Sequence, residues 1–144
     1  MKLRRNILIP ALLAAFFAVG NVNADRRGAI EISERMFATH ITHIAMNPGN
    51  YLGRTIKLEG IFREYYMGAF IGDPIYVVFR YFTDGCCTMQ VGFEVAWPEG
   101  VTKPYPADGL WVQATGVLGV RGVLYLELTS LTVLNRTGAA FVRR

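Results

Sequence analysis

Cys86 and Cys87 are the two cysteines of the chain, and they are adjacent. A deprotonated cysteine is both a nucleophile and a metal ligand, so a pair of them is the first place to look for chemistry. Neighbouring side chains on a strand point to opposite faces, which would part the two sulfurs. Asp84-Gly85 stands just before them and is a turn signal. A turn there lets both sulfurs act at one point. Three readings fit the pair. The first is a vicinal disulfide, strained and easily reduced. The second is a pair of thiolates holding zinc or copper(I). The third is two inert thiols, one buried and one partly exposed. There is no Cys-x-x-Cys and no second pair to resolve a disulfide, so a thioredoxin-like catalyst is not expected.

Other side chains could join this chemistry. His40 and His43 are the chain's histidines, and at i and i+3 they share one face of a helix. With Cys86 and Cys87 they offer the donor types of a Cys₂His₂ zinc set. The cysteines lack the usual gap of about two to four residues, and two surface or half-buried histidines is the plainer reading. Arg80 and Glu94 flank the cysteines in two apolar stretches. They are expected to pair across a hairpin, a modest contribution, with anion binding by Arg80 in a groove as the alternative. Arg80, Tyr81, Cys86, Cys87 and Glu94 form the candidate ligand-binding set. Tyr65, Tyr66, Tyr76, Tyr81 and Phe82 are either ordinary core and strand composition or a stacking platform for single-stranded nucleic acid. No Gly-x-Ser-x-Gly, phosphate-cradling glycine loop or His-Glu-x-x-His occurs, and the acids are scattered. No enzymatic activity is expected.

Charge also bears on the partner. Residues 1–24 read as a cleaved signal peptide: a basic start (MKLRRN), an apolar run Ile7–Val19 too short to span a bilayer, and Val22-Asn23-Ala24 as the cleavage site. Cleavage removes Lys2, Arg4 and Arg5 of the 15 basic residues, leaving 12 against 11 acidic. Between Gly28 and Val142 the balance falls to 8 basic against 10 acidic, because Arg26, Arg27, Arg143 and Arg144 sit at the ends. Nucleic-acid binding needs a concentrated basic face, so no nucleic-acid partner is expected. No transmembrane segment is expected after cleavage. The exported chain is expected in the periplasm or medium, where disulfides persist.

The elements that position these residues follow from periodicity. Residues 25–35 read as a flexible N-terminal segment, within which Ala29–Ser33 alternates and could add a short strand. Phe37, Ile41 and Ile44 at i, i+4 and i+7 predict a helix over Phe37–Met46, stopped by Asn47-Pro48-Gly49-Asn50. Thr55–Tyr65 alternates and predicts a long strand, with a bulge or bend at Gly60. Ile75–Phe82 and Val91–Trp97 form a hairpin about Thr83-Asp84-Gly85, with Val91, Phe93, Val95 and Trp97 inward. Pro98–Asp108 has three prolines and reads as a loop. Leu110–Leu118 and Val123–Leu134 are the last two strands, with Leu124, Leu126 and Leu128 inward. Residues 135–144 read as a loosely ordered tail. This gives a mainly all-β domain over residues 36–134, a five-stranded OB-like Greek-key barrel with one short N-terminal helix. The helix is displaced from the usual OB position between the third and fourth strands.

Asn47-Pro48, Tyr51–Ile56, Glu59-Gly60, Arg80-Tyr81, Cys86-Cys87, Gly92-Phe93-Glu94-Val95, Trp111-Val112 and Thr115-Gly116 occur in that order. The set resembles a family of small exported bacterial proteins of unassigned function with an OB-like barrel and a Cys-Cys pair. It is similar, more weakly, to membrane-linked bacterial proteins that pair such a domain with permease-like partners. The likeness spans Met36 to Leu134 and implies fold and export, not a reaction. The chain departs from it after the cysteines, where Thr88-Met89-Gln90 replaces a glycine-rich run. The expected function is an exported binding or assembly module for a protein, a membrane complex or a small ligand. The alternative is a zinc or copper protein, or a thiol-redox protein, using Cys86 and Cys87.

Overall fold

Alternation over Thr55–Tyr65 builds a strand that serves two neighbours in turn. In a computed structural model that describes residues 28–66 and 72–143, Thr55–Tyr65 is one continuous strand, β2. Its even-numbered residues from Ile56 to Phe62 are buried, as period-two alternation demands. It follows a short β1 (Ile30–Ile32) and the helix α1 (Phe37–Met46). The helix buries Phe37, Ala38, Ile41 and Ile44, the i, i+4, i+7 stripe expected of it. Then come β3 (Ile75–Thr83), β4 (Thr88–Ala96), β5 (Trp111–Arg121), β6 (Val123–Val133) and β7 (Phe141–Val142).

These seven strands form one sheet in the order β1-β2-β5-β6-β4-β3-β7. Thr55–Ile61 of β2 pairs antiparallel with β5, and Ile61–Tyr65 pairs antiparallel with β3. That extra pairing makes the ladder run back to its start through β2, β5, β6, β4 and β3. β4 and β6 are parallel, as are β1 with β2 and β3 with β7. Thr129 of β6 is skipped in the β5–β6 register, and its hydroxyl donates to the Thr115 carbonyl instead.

Glycines permit the close strand approaches. A Cβ on Gly60, where β2 changes neighbour, would lie 2.6 Å from the Phe79 carbonyl oxygen. A Cβ on Gly92 of β4 would lie 2.6 Å from Phe79 Cα and nearer still to the Val78 carbonyl. The chain at Phe79 is thus approached from both sides by strands without side chains at those points.

The core holds Ile56, Leu58 and Phe62 from β2, Val78 from β3, and Phe93 and Val95 from β4. Val112, Ala114, Leu118, Leu126 and Leu128 add the β5–β6 side, and α1 supplies its buried stripe. Val91 and Trp97 are only partly buried but pack on the same core. The Pro-rich stretch before β5 contributes to this packing. Tyr105 stacks on Tyr76 with ring centroids 3.7 Å apart, and its hydroxyl accepts from the Trp97 amide.

Order extends beyond the five long strands at both described ends, and the short strand that Ala29–Ser33 allowed for is present. The stretch expected to be flexible carries β1, with Ile32 buried. The stretch expected to be a loose tail carries β7, with Val142 buried. Among the described residues the five expected strands become seven, because two short edge strands add to the five long ones. The proposed leader and the Gly68–Ile71 part of the β2–β3 connection lie outside the described residues.

Gly92→Ala places a methyl group against backbone that cannot rotate away. It should destabilise the fold by about 2–3 kcal/mol, as overpacked cores do. Gly49→Ala, with nothing within 4 Å of its added Cβ, should leave the urea midpoint unchanged. Equal midpoints for the two variants would contradict the close approach at Gly92.

Candidate functional site

Strand parity divides the candidate residues. Val78 is buried inward, so Arg80 and Phe82 face in with it, while Val77, Phe79 and Tyr81 face the other way. On β4 the inward set is Val91, Phe93 and Val95, and the outward set is Gln90, Gly92 and Glu94. Arg80 and Tyr81 are neighbours in sequence but lie on opposite faces of the sheet.

Arg80 is 1% exposed. A buried guanidinium must have its donors satisfied, and three acceptors come from three parts of the chain. Nε donates to the Glu59 carbonyl at 2.8 Å. One terminal nitrogen donates to Glu34 Oε2 at 3.0 Å and to the Ala139 carbonyl at 3.2 Å. The charge also lies over the rings of Phe37 and Trp111, 4.9 and 4.8 Å from their centroids. Glu34 in turn accepts the Ala139 amide at 2.9 Å. That backbone bond and the Arg80 hydrogen bond hold the Glu34 carboxyl below the ordinary glutamate range.

The expected Arg80–Glu94 pair does not form. Arg80 is opposite Val91 and Glu94 opposite Val77, so the two side chains project from opposite faces. The carboxylate partner of Arg80 is Glu34, from the stretch expected to be flexible. The hollow beside Arg80, about 220 Å³, mixes Lys57, Arg80 and Arg136 with Glu31, Glu34 and Glu59. This balance of signs does not favour the anion site considered for Arg80.

The outward face carries an open groove of about 170 Å³ over Gly92, lined by Val77, Phe79, Gln90, Gly92, Phe93 and Glu94. Arg63 lies over the Phe79 ring at 5.7 Å, and Tyr81 meets the same ring edge-on. The Tyr65 hydroxyl donates to Gln90. The five aromatics considered as a stacking platform are split. Tyr76 and Phe82 pack on the core, Tyr65 and Tyr81 lie outward, and Tyr66 is 71% exposed.

Cys86 and Cys87 sit at the tip of the hairpin, both exposed and both free thiols. The last β3–β4 pair is Thr83 with Thr88, so residues 84–87 are the turn itself, and Gly85 adopts φ 101°. A left-handed residue of this kind favours glycine. The turn brings the two sulfurs to 3.2 Å, which an extended backbone could not do. Asp84 Oδ1 accepts the Cys86 and Cys87 amides at 3.3 and 3.1 Å and the Cys86 thiol at 3.4 Å. These bonds push the Asp84 carboxyl down, chiefly through the Cys87 amide. Bonds to Cys87 and Asp84 push the Cys86 thiol up, which disfavours a free nucleophilic thiolate. The expectation that one of the inert thiols would be buried does not hold.

The histidines do not join this turn. Among the described residues, the donors brought within 4.8 Å of one another are Asp84, Cys86 and Cys87. His43 instead bonds the Tyr51 hydroxyl through Nδ1 at 2.8 Å. The Cys₂His₂ set is therefore not assembled. Sequence reading missed Asp84 as a donor because Asp-Gly signals a turn whatever else the aspartate does. It missed Glu34 because nothing local ties that residue to Arg80, 46 positions away.

Among the described residues no helix is long and apolar enough to cross a membrane. Comparison with known proteins finds no family model that matches the chain and no curated protein that matches it.

Arg80→Ala should cost about 3 kcal/mol or more, from the cavity and the stranded carbonyls of Glu59 and Ala139. It should also release β7, read as lost hydrogen-exchange protection at the Tyr81 amide, which donates to Ala140. Unchanged Tyr81 protection in that variant would refute the clamp. Because the folded-state pKa of Glu34 is depressed, its contribution is complete above the ordinary glutamate range and is lost as pH falls through the folded value. Glu34→Gln should therefore remove part of the acid sensitivity of Tyr81 protection; an identical pH profile in variant and parent would count against it.

Proposed function

We propose that the chain is an exported, non-enzymatic binding module on an OB-like barrel, and that it engages a protein through the outward face of β3 and β4. The groove over Gly92 carries this reading. At about 170 Å³ it is smaller than the ~300–1,000 Å³ clefts that bury small ligands. It opens instead onto a face where Arg63 and Tyr81 cover the buried Phe79 ring and Tyr65 stands beside Gln90. Tyrosine and arginine are the side chains that most often anchor protein interfaces. A partner subunit of a membrane complex fits this surface as well as a free protein does.

The strand connectivity supports the OB-like part. Five strands paired as β2-β3-β4-β6-β5 and back to β2, with β4 and β6 parallel, follow the five-stranded Greek-key pattern. The family resemblance of the ordered motifs points the same way. The departure in helix position is compensated at both ends: α1 covers the core from before the first long strand, and Tyr105 fills the interval where an OB helix usually lies.

Export rests on the basic, apolar and small-residue order of residues 1–24. The protein recovered from cells should begin at Asp25 by N-terminal sequencing, and recovery of chains beginning at Met1 would oppose cleavage.

A photo-crosslinking residue at Gln90 should give discrete adducts in cells, and one at Thr132 on β6 should not. Glu94→Lys should reduce the Gln90 adducts several-fold. Equal adducts at both positions, or none at Gln90, would overturn the assignment of the binding face.

A further inference from the structure

The β3–β4 turn holds donor atoms that a β3–β4 binding face does not use. The two sulfurs are 3.2 Å apart, and an Asp84 oxygen lies with them inside a 4.8 Å group. We propose that Asp84, Cys86 and Cys87 bind one zinc ion through two thiolates and a carboxylate, leaving a fourth position open.

The donor chemistry selects the metal. Zinc accepts both sulfur and carboxylate oxygen in a tetrahedron, with Zn–S near 2.3 Å and Zn–O near 2.0–2.2 Å. Copper(I) is satisfied by the soft sulfurs and gains little from a carboxylate. The presence of Asp84 beside the sulfurs therefore favours zinc. A tetrahedral angle at those bond lengths needs the sulfurs about 3.8 Å apart. Both cysteines are exposed, so side-chain rotation can supply the difference without disturbing the core.

Asp84 is prepared for this role. Its turn-forming bonds all fall on Oδ1, so Oδ2 stays available to an ion. Cys86 Sγ lies 3.4 Å from Asp84 Oδ1 and 3.2 Å from Cys87 Sγ, so the donors already face one another around the point an ion would take. Binding converts two thiols to thiolates and releases two protons to solvent. The resulting site, one dication with three anionic ligands, carries a net charge of −1. Of the three donors, Asp84 also lines an open hollow with Thr83, Gly85 and Arg143, which places one basic residue near the turn. No other titratable side chain lines that hollow among the described residues.

The site also explains why a turn, and not a strand, carries the cysteines. A vicinal disulfide would use the same two sulfurs and remove both from the metal, so oxidation and zinc binding are mutually exclusive at this turn.

The test is a titration of the reduced mature protein with cobalt(II), then displacement by zinc. One equivalent should give thiolate-to-cobalt charge-transfer absorption, which zinc abolishes. Cys86→Ser and Cys87→Ser should each weaken binding at least ~100-fold. Asp84→Asn keeps an oxygen for the turn amides but loses the charge, and should weaken zinc about 10-fold or more while leaving copper(I) binding unchanged. Affinity should rise with pH, by up to ~100-fold per unit below the thiol pKa values, because two protons leave. Since the turn is exposed, all three variants should melt like the parent, which separates lost ligands from lost fold. Absence of charge-transfer bands at equimolar metal would overturn the proposal. Zinc binding indifferent to Asp84→Asn would overturn it equally.

Discussion

The buried guanidinium of Arg80 is the constraint on which the ends of this fold depend. A charge taken out of water costs several kcal/mol unless its surroundings replace the lost hydration. Here the replacement is drawn from five separate stretches: Glu34, Phe37 of α1, the Glu59 carbonyl of β2, Trp111 of β5 and the Ala139 carbonyl. Lysine could not reproduce this, because a single ammonium lacks the planar fork that reaches separated acceptors while lying flat on rings. A two-residue strand such as β7 has little to hold it by itself. Its place follows from Val142 entering the core and from Ala139 being gripped on both its amide and its carbonyl.

The same clamp fixes what the inner and outer faces can do. Glu34 and Ala139 come together only because Arg80 points inward, and it points inward because Val78 and Phe82 do. Gly60 and Gly92 then let β2 and β4 crowd the backbone at Phe79, which turns β2 from one neighbour to the other. The outward groove runs beside Gly92, and Arg63, Tyr65 and Tyr81 touch its lining residues Phe79 and Gln90.

The parts legible in the sequence were those set by local periodicity. The helix over Phe37–Met46 and the strand over Thr55–Tyr65 carry their patterns in consecutive residues, and both occur with those bounds. The hairpin was legible from Asp84-Gly85. Its register was not, since one more residue in the turn would have swapped every inward side chain for an outward one. This is why Arg80 and Glu94 were expected to meet and do not. The edge strands differ in this respect. β1 lies within the alternating Ala29–Ser33, whereas the two residues of β7 are too short for alternation to show, and both depend on partners far away in sequence. At the site, adjacent cysteines advertised themselves by type, but the contribution of Asp84 depends on the turn's shape.

A physical asymmetry separates the clamp from the turn. Arg80 and Cys86 are six positions apart, yet one is fixed by acceptors from across the chain and the other only by its immediate neighbours. Changes at Arg80 reach the stretches around Glu34 and Ala139, because the partners it loses there are distant ones. Changes at Cys86 or Cys87 alter bonds confined to residues 84–87 and leave the core untouched. Exposed thiols contribute little to folding and are open to oxidation unless they are used. A site that is inexpensive to the fold, exposed to solvent and equipped with three converging donors is where chemistry can be carried without disturbing the sheet beneath it.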